Sequence, residues 1–597
     1  MCSSDLVSFD VNNDKVSRFL PAEVSNAPWN DGAINSADSY DSESTTVLAE
    51  NSINWQPRFT NPAHFLQLQG SFQIITGNST SQGMAVTNLP SGDIVDASAY
   101  GYPTGISSSR YAYRSNALTF RSHYTYKNRY ILGATFRRDG STKFGEKYKY
   151  GNFPGISAKW IISDENFMQS TKNWLSMLAI RPSWGITGNQ PTEEYLHFSR
   201  YSPYGSYIDM PATRPTTLRL ADLRWEKSTS FNFGFDLGFF KDRLVFDINF
   251  YNKRTEDLLF SNLSVPSSSG FSSVPVQNVG TMDNNGWEMN FYSSRAIKRN
   301  DFSVDFNFNL SNYVNTIVEL RDDILANYNA DYDYTNGTYL SRIQEGNSYG
   351  SIYGFRYKGV YQYNKYIPGV QENAPVARDE NGYVFTDEEG TPLPMYFAYG
   401  RSNEYQFRGG DAIYEDINKD GSIDELDIVY LGNSNPKING GFGSTIRYKN
   451  LSVTAFFNFR YGSKIVNMAR MNAENMYYLN NQSVSVNWRW RKDGDVTEMP
   501  RALYNYGYNW LGSDRYVEDG SFLRMKYLTF NYSIPKAKLE RYKLQQVSFY
   551  LTINNLFVLT KYTGVDPEVG YGSFGVSTDN SPTPRSKDAT LGISVTF

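Results

Sequence analysis

The sequence predicts an all-β protein, a large antiparallel β-barrel that crosses a membrane with its strands. Three observations predict it. Apolar and polar residues alternate one by one, the alternating runs are long, and the connections between them are short and long by turns.

The alternation is strict. Phe302, Val304, Phe306, Phe308 and Leu310 share one face, and Ser303, Asp305, Asn307, Asn309 and Ser311 share the other. Leu244, Phe246, Ile248 and Phe250 stand against Asp247 and Asn249. Phe231, Phe233, Phe235, Leu237 and Phe239 stand against Asn232, Gly234, Asp236 and Gly238, and Val547, Phe549, Leu551 and Ile553 against Ser548, Thr552 and Asn554. The runs last about 9–11 residues, the length of a tilted membrane-crossing strand, where ordinary strands average about 5–6. Tight turns join pairs of runs at Lys127 to Arg129, Phe240 to Arg243 and Lys449–Asn450. Between them lie polar excursions at Arg254 to Gly286, Gly462 to Ser521 and Lys561 to Asp588. Short turns on one side and long loops on the other is how an outer-membrane barrel is laid out.

Composition agrees and narrows the function. The chain has 597 residues, 16% of them aromatic and 47 of them Tyr, a bias toward strands and amphipathic surfaces. No stretch approaches the roughly 20 apolar residues of a membrane helix, and a barrel needs none. Lys and Arg number 57 against 61 Asp and Glu, with no basic stripe of the kind that grips nucleic acid. Cys2 is the single cysteine, so no disulfide forms within the chain; with no apolar signal region before it, it reads as an uninvolved thiol.

Taken in order, residues 1–60, with the stretch "NSADSYDSESTT", read as loop-like or partly ordered. Residues 61–597 read as the barrel portion with long extracellular loops. Counting back from the C-terminus, Ala589 to Phe597 descends to the periplasm, Val547 to Phe557 ascends, Phe522 to Ile534 descends and Leu451 to Tyr461 ascends. The same bookkeeping reaches a descending run at Asn116 to Tyr126. The region Val314 to Asn439 must hold an even number of crossings, zero included. The expectation is roughly 14 to 16 strands in all.

Six blocks carry a family resemblance: Arg137 to Trp160, "RPSWGITGNQ" (Arg181 to Gln190), Glu226 to Phe260, "GNSNPKINGGFG" (Gly432 to Gly443), Ser513 to Pro535, and "NNLFVLTKYTGVDPEV" (Asn554 to Val569). In this order and spacing they resemble the SusC/RagA-type TonB-dependent outer-membrane transporters. The resemblance implies a 22-stranded barrel in the cell outer membrane, surrounded by outer-membrane lipid and importing oligosaccharides or peptides. It implies a SusD-like surface lipoprotein as partner, and TonB–ExbB–ExbD acting through a plug. No plug, TonB box or leading regulatory-like domain is recognised here, so the chain reads as the C-terminal barrel portion of such a transporter. The terminal run ending Ile593, Val595 and Phe597 has the apolar face and final aromatic of an outer-membrane insertion signal. The contrasting reading is a secreted soluble β-protein that binds glycans and carries a dockerin-like calcium loop.

That loop is "DINKDGSIDELD". Asp416, Asn418, Asp420, Ser422 through its carbonyl, Asp424 and Asp427 occupy positions 1, 3, 5, 7, 9 and 12 of an EF-hand loop, and Gly421 supplies the turn at position 6. Asp427 stands where Glu is usual and is a methylene shorter. The spacing suggests a structural calcium; the alternative is an Asx-rich surface turn held by its own backbone. No catalytic motif appears: His64, His123 and His197 are scattered, and the acidic pairs Glu193/Glu194 and Asp322/Asp323 read as solvated loop charges. The chain is therefore expected not to be an enzyme. The Tyr-rich stretches Tyr201 to Tyr207 and Met476 to Gln482 suit either stacking on a substrate or a place at the barrel rim.

Overall fold

The computed structural model describes all residues except 1, 23–34, 98–99, 209, 266, 272, 323–324, 326–335, 340–341, 399–404 and 573–574. The described chain is dominated by sixteen strands of nine residues or more, the upper end of the expected count. They are β1 (Cys2–Leu20), β2 (Ser36–Trp55), β3 (His64–Thr87), β4 (Tyr102–Tyr126), β5 (Tyr130–Ser141), β6 (Tyr150–Ile161), β7 (Leu175–Asn189) and β8 (Glu226–Phe239). There follow β9 (Leu244–Glu256), β10 (Thr281–Ser293), β11 (Phe302–Glu319), β12 (Ile438–Tyr448), β13 (Leu451–Tyr461), β14 (Phe522–Ser533), β15 (Gln546–Asn554) and β16 (Asp588–Thr596). The three turns expected from sequence fall between β4 and β5, β8 and β9, and β12 and β13. Between Glu319 and Ile438 no described strand exceeds five residues, so that region contributes no crossing among the described residues.

The chain forms two compact units: Met1–Glu165 with Ile180–Asn232 and Arg254–Val279, and Asn166–Ala179 with Phe233–Lys253 and Gly280–Phe597. Strands β7, β8 and β9 each contribute residues to both.

In the first unit β1 to β6 form an unbroken antiparallel meander. Cys2 pairs with Asn54, Ser36 with Thr87, His64 with Tyr126, Tyr126 with Tyr130, and Tyr130 with Trp160. Tyr126, Tyr130 and Trp160 stack in a row at the turn end, with successive rings 6.2 Å apart. Glu165 accepts hydrogen bonds there from the Tyr130 hydroxyl at 2.6 Å and the Trp160 indole at 3.1 Å. Such a belt of aromatics with polar tips marks a membrane interface.

The expectation of loop over residues 1–60 is corrected: Cys2–Leu20 and Ser36–Trp55 are strands. The reason is length. Twenty residues extend about 66 Å, well beyond the roughly 30 Å of hydrocarbon, so only part of β2 meets lipid. Val47, Ala49, Ile53 and Trp55 alternate there, whereas Asp38 to Ser44 carries no apolar stripe. Its strand conformation comes from backbone pairing with β1 on one side and β3 on the other.

In the second unit β10 to β16 form another antiparallel meander, through Phe302↔Tyr448, Tyr448↔Leu451, Leu451↔Tyr532, Ser533↔Ser548 and Gln546↔Thr596. The registers place Phe291, Phe308, Phe442 and Phe457 directly opposite one another across β10, β11, β12 and β13. Phe291 and Phe308 stack at 4.7 Å and Phe442 and Phe457 at 5.0 Å, and Phe246 of β9 extends the row to Phe291 at 4.7 Å. Aromatic cross-strand pairs of this kind lock register. This is the apolar face, and it is not packed under a second sheet: Phe306 is 43% exposed and Phe549 40%. The opposite face carries Asn307, Asn309, Ser311, Asn439 and Asn458. The last strand depends on a close approach: a Cβ on Gly592 would lie 2.2 Å from the ring of its cross-strand partner Tyr550.

Placing Arg at Phe442 is expected to cost roughly 2–4 kcal/mol in a lipid-reconstituted unfolding titration, the penalty for a charge on the lipid face near mid-membrane. The same residue at Asn309, on the polar face of the neighbouring strand, is expected to change stability by under about 1 kcal/mol.

Candidate functional site: the loop assembly over the polar face

The long loops of the second unit pack as a small domain of their own. Its apolar centre is Phe355, Phe397, Phe407, Ile423 and Leu511, all almost fully buried, with Tyr405 and Tyr414. A second cluster gathers Met471, Met476, Trp510 and Tyr516. Three ionic knots tie these loops together.

The first surrounds Asp411, which has no exposed surface. Arg501 grips it through two nitrogens, Nε at 2.7 Å and Nη2 at 3.1 Å, and the Tyr405 hydroxyl donates to it at 2.7 Å. The Arg408 backbone N–H at 2.8 Å and the Asn509 amide at 3.2 Å complete the shell. The bidentate guanidinium holds segments about ninety positions apart. In the second knot, Glu474 accepts from Arg470 at 3.0 Å, Arg515 at 3.1 Å and the Tyr516 hydroxyl at 3.1 Å. Arg470 reaches on to Glu518 at 3.3 Å. Burial works to raise the Glu518 pKa, yet hydrogen bonds from Thr563, Asn467 and Arg470 outweigh it and hold the carboxyl below its ordinary value.

The third knot anchors the last loop to the sheet. Arg524 and Lys526 rise from β14, and Arg524 stands opposite Asn458 of the polar face. Arg524 donates to Asp566 at 2.6 Å and pairs with Glu568, while Lys526 reaches both Glu568 oxygens at 3.2 Å and Arg585 approaches at 3.4 Å. Arg524 and Glu568 are each less than a tenth exposed. Beneath these loops Asn309, Tyr313, Asn439, Asn458 and Arg460 line a cavity of about 390 Å³ on the polar face.

The expected calcium loop is folded as the spacing demands, with Lys419 and Gly421 at positive φ. Its carboxylates turn inward on the backbone. Asp416 accepts from Lys419 N at 2.6 Å and Gly421 N at 2.9 Å; Asp427 accepts from Ile417 N at 2.6 Å and Asp424 N at 2.9 Å. Asp420 accepts from Ser422, and Asp424 from Leu426 N. Asn418 donates to Asp420 at 2.8 Å. Among the described residues no three acidic, His or Cys groups converge to hold a metal, and the loop's carboxylates face its own amides. Asp427 is fully buried, and burial pushes its pKa up to about 6, with Asp416 and Asp424 adding to the rise. Burial likewise raises Asp424. Asp420 stays below its usual value because the Ser422 and Asn418 hydrogen bonds outweigh burial.

The remaining candidates are placed as follows. Ile593 and Val595 lie on β16 opposite Phe549 and Val547, and Phe597 follows the strand, 82% exposed. Tyr201 to Tyr207 forms a hairpin with Met210–Pro215, its Tyr201 and Tyr204 rings exposed. Met476 and Tyr477 pack into the loop core, leaving Tyr478 exposed. Glu194 is not a solvated charge: it pairs with Lys143 at 3.3 Å with both side chains mostly covered, and burial raises its pKa. Glu193 pairs with Arg200 at 3.1 Å, and Asp323 lies outside the described residues. The ionic knots escape sequence reasoning because the pairs that join separate segments lie 41 to 90 positions apart.

Glu568→Gln should leave Arg524 and Lys526 short of a carboxylate. Breaking a buried pair costs about 3–5 kcal/mol, so cleavage within 561–587 by a brief protease pulse should rise at least ten-fold while the strands stay protected.

The comparisons with known proteins agree with this architecture. Residues 5–387 match the family model described as TonB dependent receptor-like, beta-barrel. TonB-dependent receptor P39 of Formosa agariphila is 31% identical over 505 residues, covering 83% of this chain and 47% of the relative. TonB-dependent receptor SusC of Bacteroides thetaiotaomicron is 27% identical over 505 residues, covering 82% and 44%. The RagAB peptide importer in its closed-closed state shares the fold with a TM-score of 0.79 at 22% identity, over 100% of this chain and 60% of that one. The chain spans about half the length of the curated relatives it matches. Residence in the outer membrane replaces the secreted soluble reading, in accord with the uncovered apolar face. The chain belongs to the TonB-dependent receptor β-barrel family, of the SusC/RagA type.

Proposed function

We propose that this chain forms the barrel portion of a TonB-dependent importer that carries oligosaccharides or peptides across the outer membrane together with a SusD-like surface lipoprotein. The observation that carries the reading is a polar sheet face roofed by loops that are pinned to it through Arg524, Lys526 and Glu568 in a chain of this family. A polar interior under an ordered loop roof suits hydrophilic cargo that is released by energy input rather than by free diffusion. One fold relative is the RagAB peptide importer, and the Asn and Ser side chains of the polar face suit sugars as well as peptides, so both cargo classes stand. Energy from TonB–ExbB–ExbD enters through a plug, and the chain itself carries cargo without chemical change. In the same reading the terminal Ile593, Val595 and Phe597 direct assembly into the membrane.

The test is uptake by intact cells of fluorescent oligosaccharide and peptide pools, with the gene present or deleted. Uptake of one pool should fall at least ten-fold on deletion and equally when the proton-motive force is collapsed. Uptake that persists after collapse would make the protein a passive pore.

Calcium in the 416–427 loop is a separate part of the proposal, supported by the ligand spacing and by the buried Asp427 carboxyl, which forms no ion pair among the described residues. Its raised pKa gives the loop a stabilising contribution that is complete below about pH 4 and drains away as pH climbs through about 6. Amide protection at Ile417 and Asp424 should therefore increase from pH 7 to pH 5, and millimolar calcium at pH 7 should give the same increase. Asp427→Asn should abolish both responses; protection indifferent to calcium removes the ion from the reading.

A further inference from the structure

A cleft in the first unit has a charge pattern that the import reading does not use. On β4, Phe120 and Leu118 lie on the apolar face, opposite Gly70 and Phe72 of β3. The same face continues upward through Asn116 and Arg114, opposite Ile74 and Thr76. There the polarity changes and a cavity of about 880 Å³ opens. The opening follows from strand lengths. β5 ends at Ser141, opposite Ser115, and beyond that point β4 pairs only with β3 among the described residues. The Tyr195 hydroxyl caps the bare edge, accepting from Ala112 N at 2.9 Å and donating to Ala112 O at 3.0 Å.

Four cations, Arg114, Lys147, Lys149 and Arg219, line the cleft against two carboxylates, Glu146 and Asp222. Lys147 pairs with Asp222 at 3.4 Å. The side chains of Arg114, Lys149 and Arg219 make no ion pair or hydrogen bond among the described residues. Arg219 and Lys149 also stand near His197, whose imidazole is held below its ordinary pKa, first by burial and then by these cations. Outside the Lys147–Asp222 pair, three cations face the single carboxylate of Glu146, an excess that favours an anion, and guanidinium groups favour one with several oxygens.

The height of the cleft says which anion. The stacked Tyr126, Tyr130 and Trp160 mark one interface. Arg114 lies twelve residues up β4 from Tyr126, about 40 Å along the strand and about 30 Å along the membrane normal at the usual tilt. That is one hydrocarbon thickness, so the cations stand at the level of the outer headgroups, directly above an apolar strip of Phe72, Ile74, Leu118 and Phe120. We infer that this cleft binds the phosphate of an outer-leaflet lipid, whose acyl chains lie down that strip. The inference rests on the apolar face meeting lipid and is independent of what the protein imports.

The test is native mass spectrometry of the full chain in detergent with a phosphorylated glycolipid, its dephosphorylated counterpart, or inorganic phosphate. The phosphorylated lipid should be retained at least ten-fold better than the dephosphorylated one. The preference should vanish in the combined Arg114→Gln, Lys149→Gln, Arg219→Gln variant and grow about three-fold in Glu146→Gln, a gain that misfolding cannot produce. Equal retention of the two lipids, or an unchanged preference in the triple variant, overturns the proposal. Inorganic phosphate that displaces the lipid at equal concentration also overturns it, by making the cleft a site for the free ion.

Discussion

In hydrocarbon a backbone N–H or C=O has no water to turn to, and this single constraint organises the molecule. It demands that membrane-crossing strands be paired along their length, which the inner strands of the two antiparallel meanders satisfy residue by residue. Once pairing is complete, register decides everything else, because a slip of one residue would exchange the two faces. The row Phe291, Phe308, Phe442 and Phe457 works against such a slip. Displacing β11 or β12 by one position would send a phenylalanine into the polar face and bring an Asn or Gly to the lipid.

The loops live under a different constraint. Water is available to them, so pairing is optional and order must come from side chains. Their apolar clusters are small, and the ionic knots supply the geometry that a larger core would otherwise impose. A buried ion pair adds little net stability after desolvation, but it penalises heavily any arrangement that separates its partners. Asp411 with Arg501, Glu474 with Arg515, and Glu568 with Arg524 each join distant segments in this way. The third is the most consequential, because its cations belong to a membrane strand and its carboxylates to a loop. The roof is thereby coupled to the wall.

The legibility of the sequence follows the same division. Where lipid touches the chain, alternation is enforced, and β8, β9, β11 and β13 to β16 are visible in the residues themselves, whereas the start of β10 at Thr281 falls in a stretch that reads as a polar excursion. Above the membrane that enforcement stops. Ser36 to Ser44 and the upper reaches of β3 and β4 are strands because neighbours pair with them, a non-local cause that leaves no periodic trace. Glu194 misleads for the same reason, since the residue that covers it, Lys143, is distant in sequence. The acidic loop at Asp416 is legible in its turn and its residue spacing. What the spacing leaves undecided is whether the carboxylates face a shared ion or their own amides, and here they face the amides.

Asp427 and Glu568 show why that last distinction matters. Both carboxylates are almost wholly buried in loops of the same unit. Glu568 is met by Arg524, Lys526 and Arg585, so its charge is balanced by the fold itself. Asp427 is met by two backbone amides and repelled by Asp416 and Asp424, so its charge is solvated but not balanced. A fold that balances one buried carboxylate with three cations has no difficulty making ion pairs. The neighbouring loop gathers carboxylates with no lysine or arginine side chain among their hydrogen-bonding partners, so burial and mutual repulsion leave the Asp427 carboxyl holding its proton up to about pH 6.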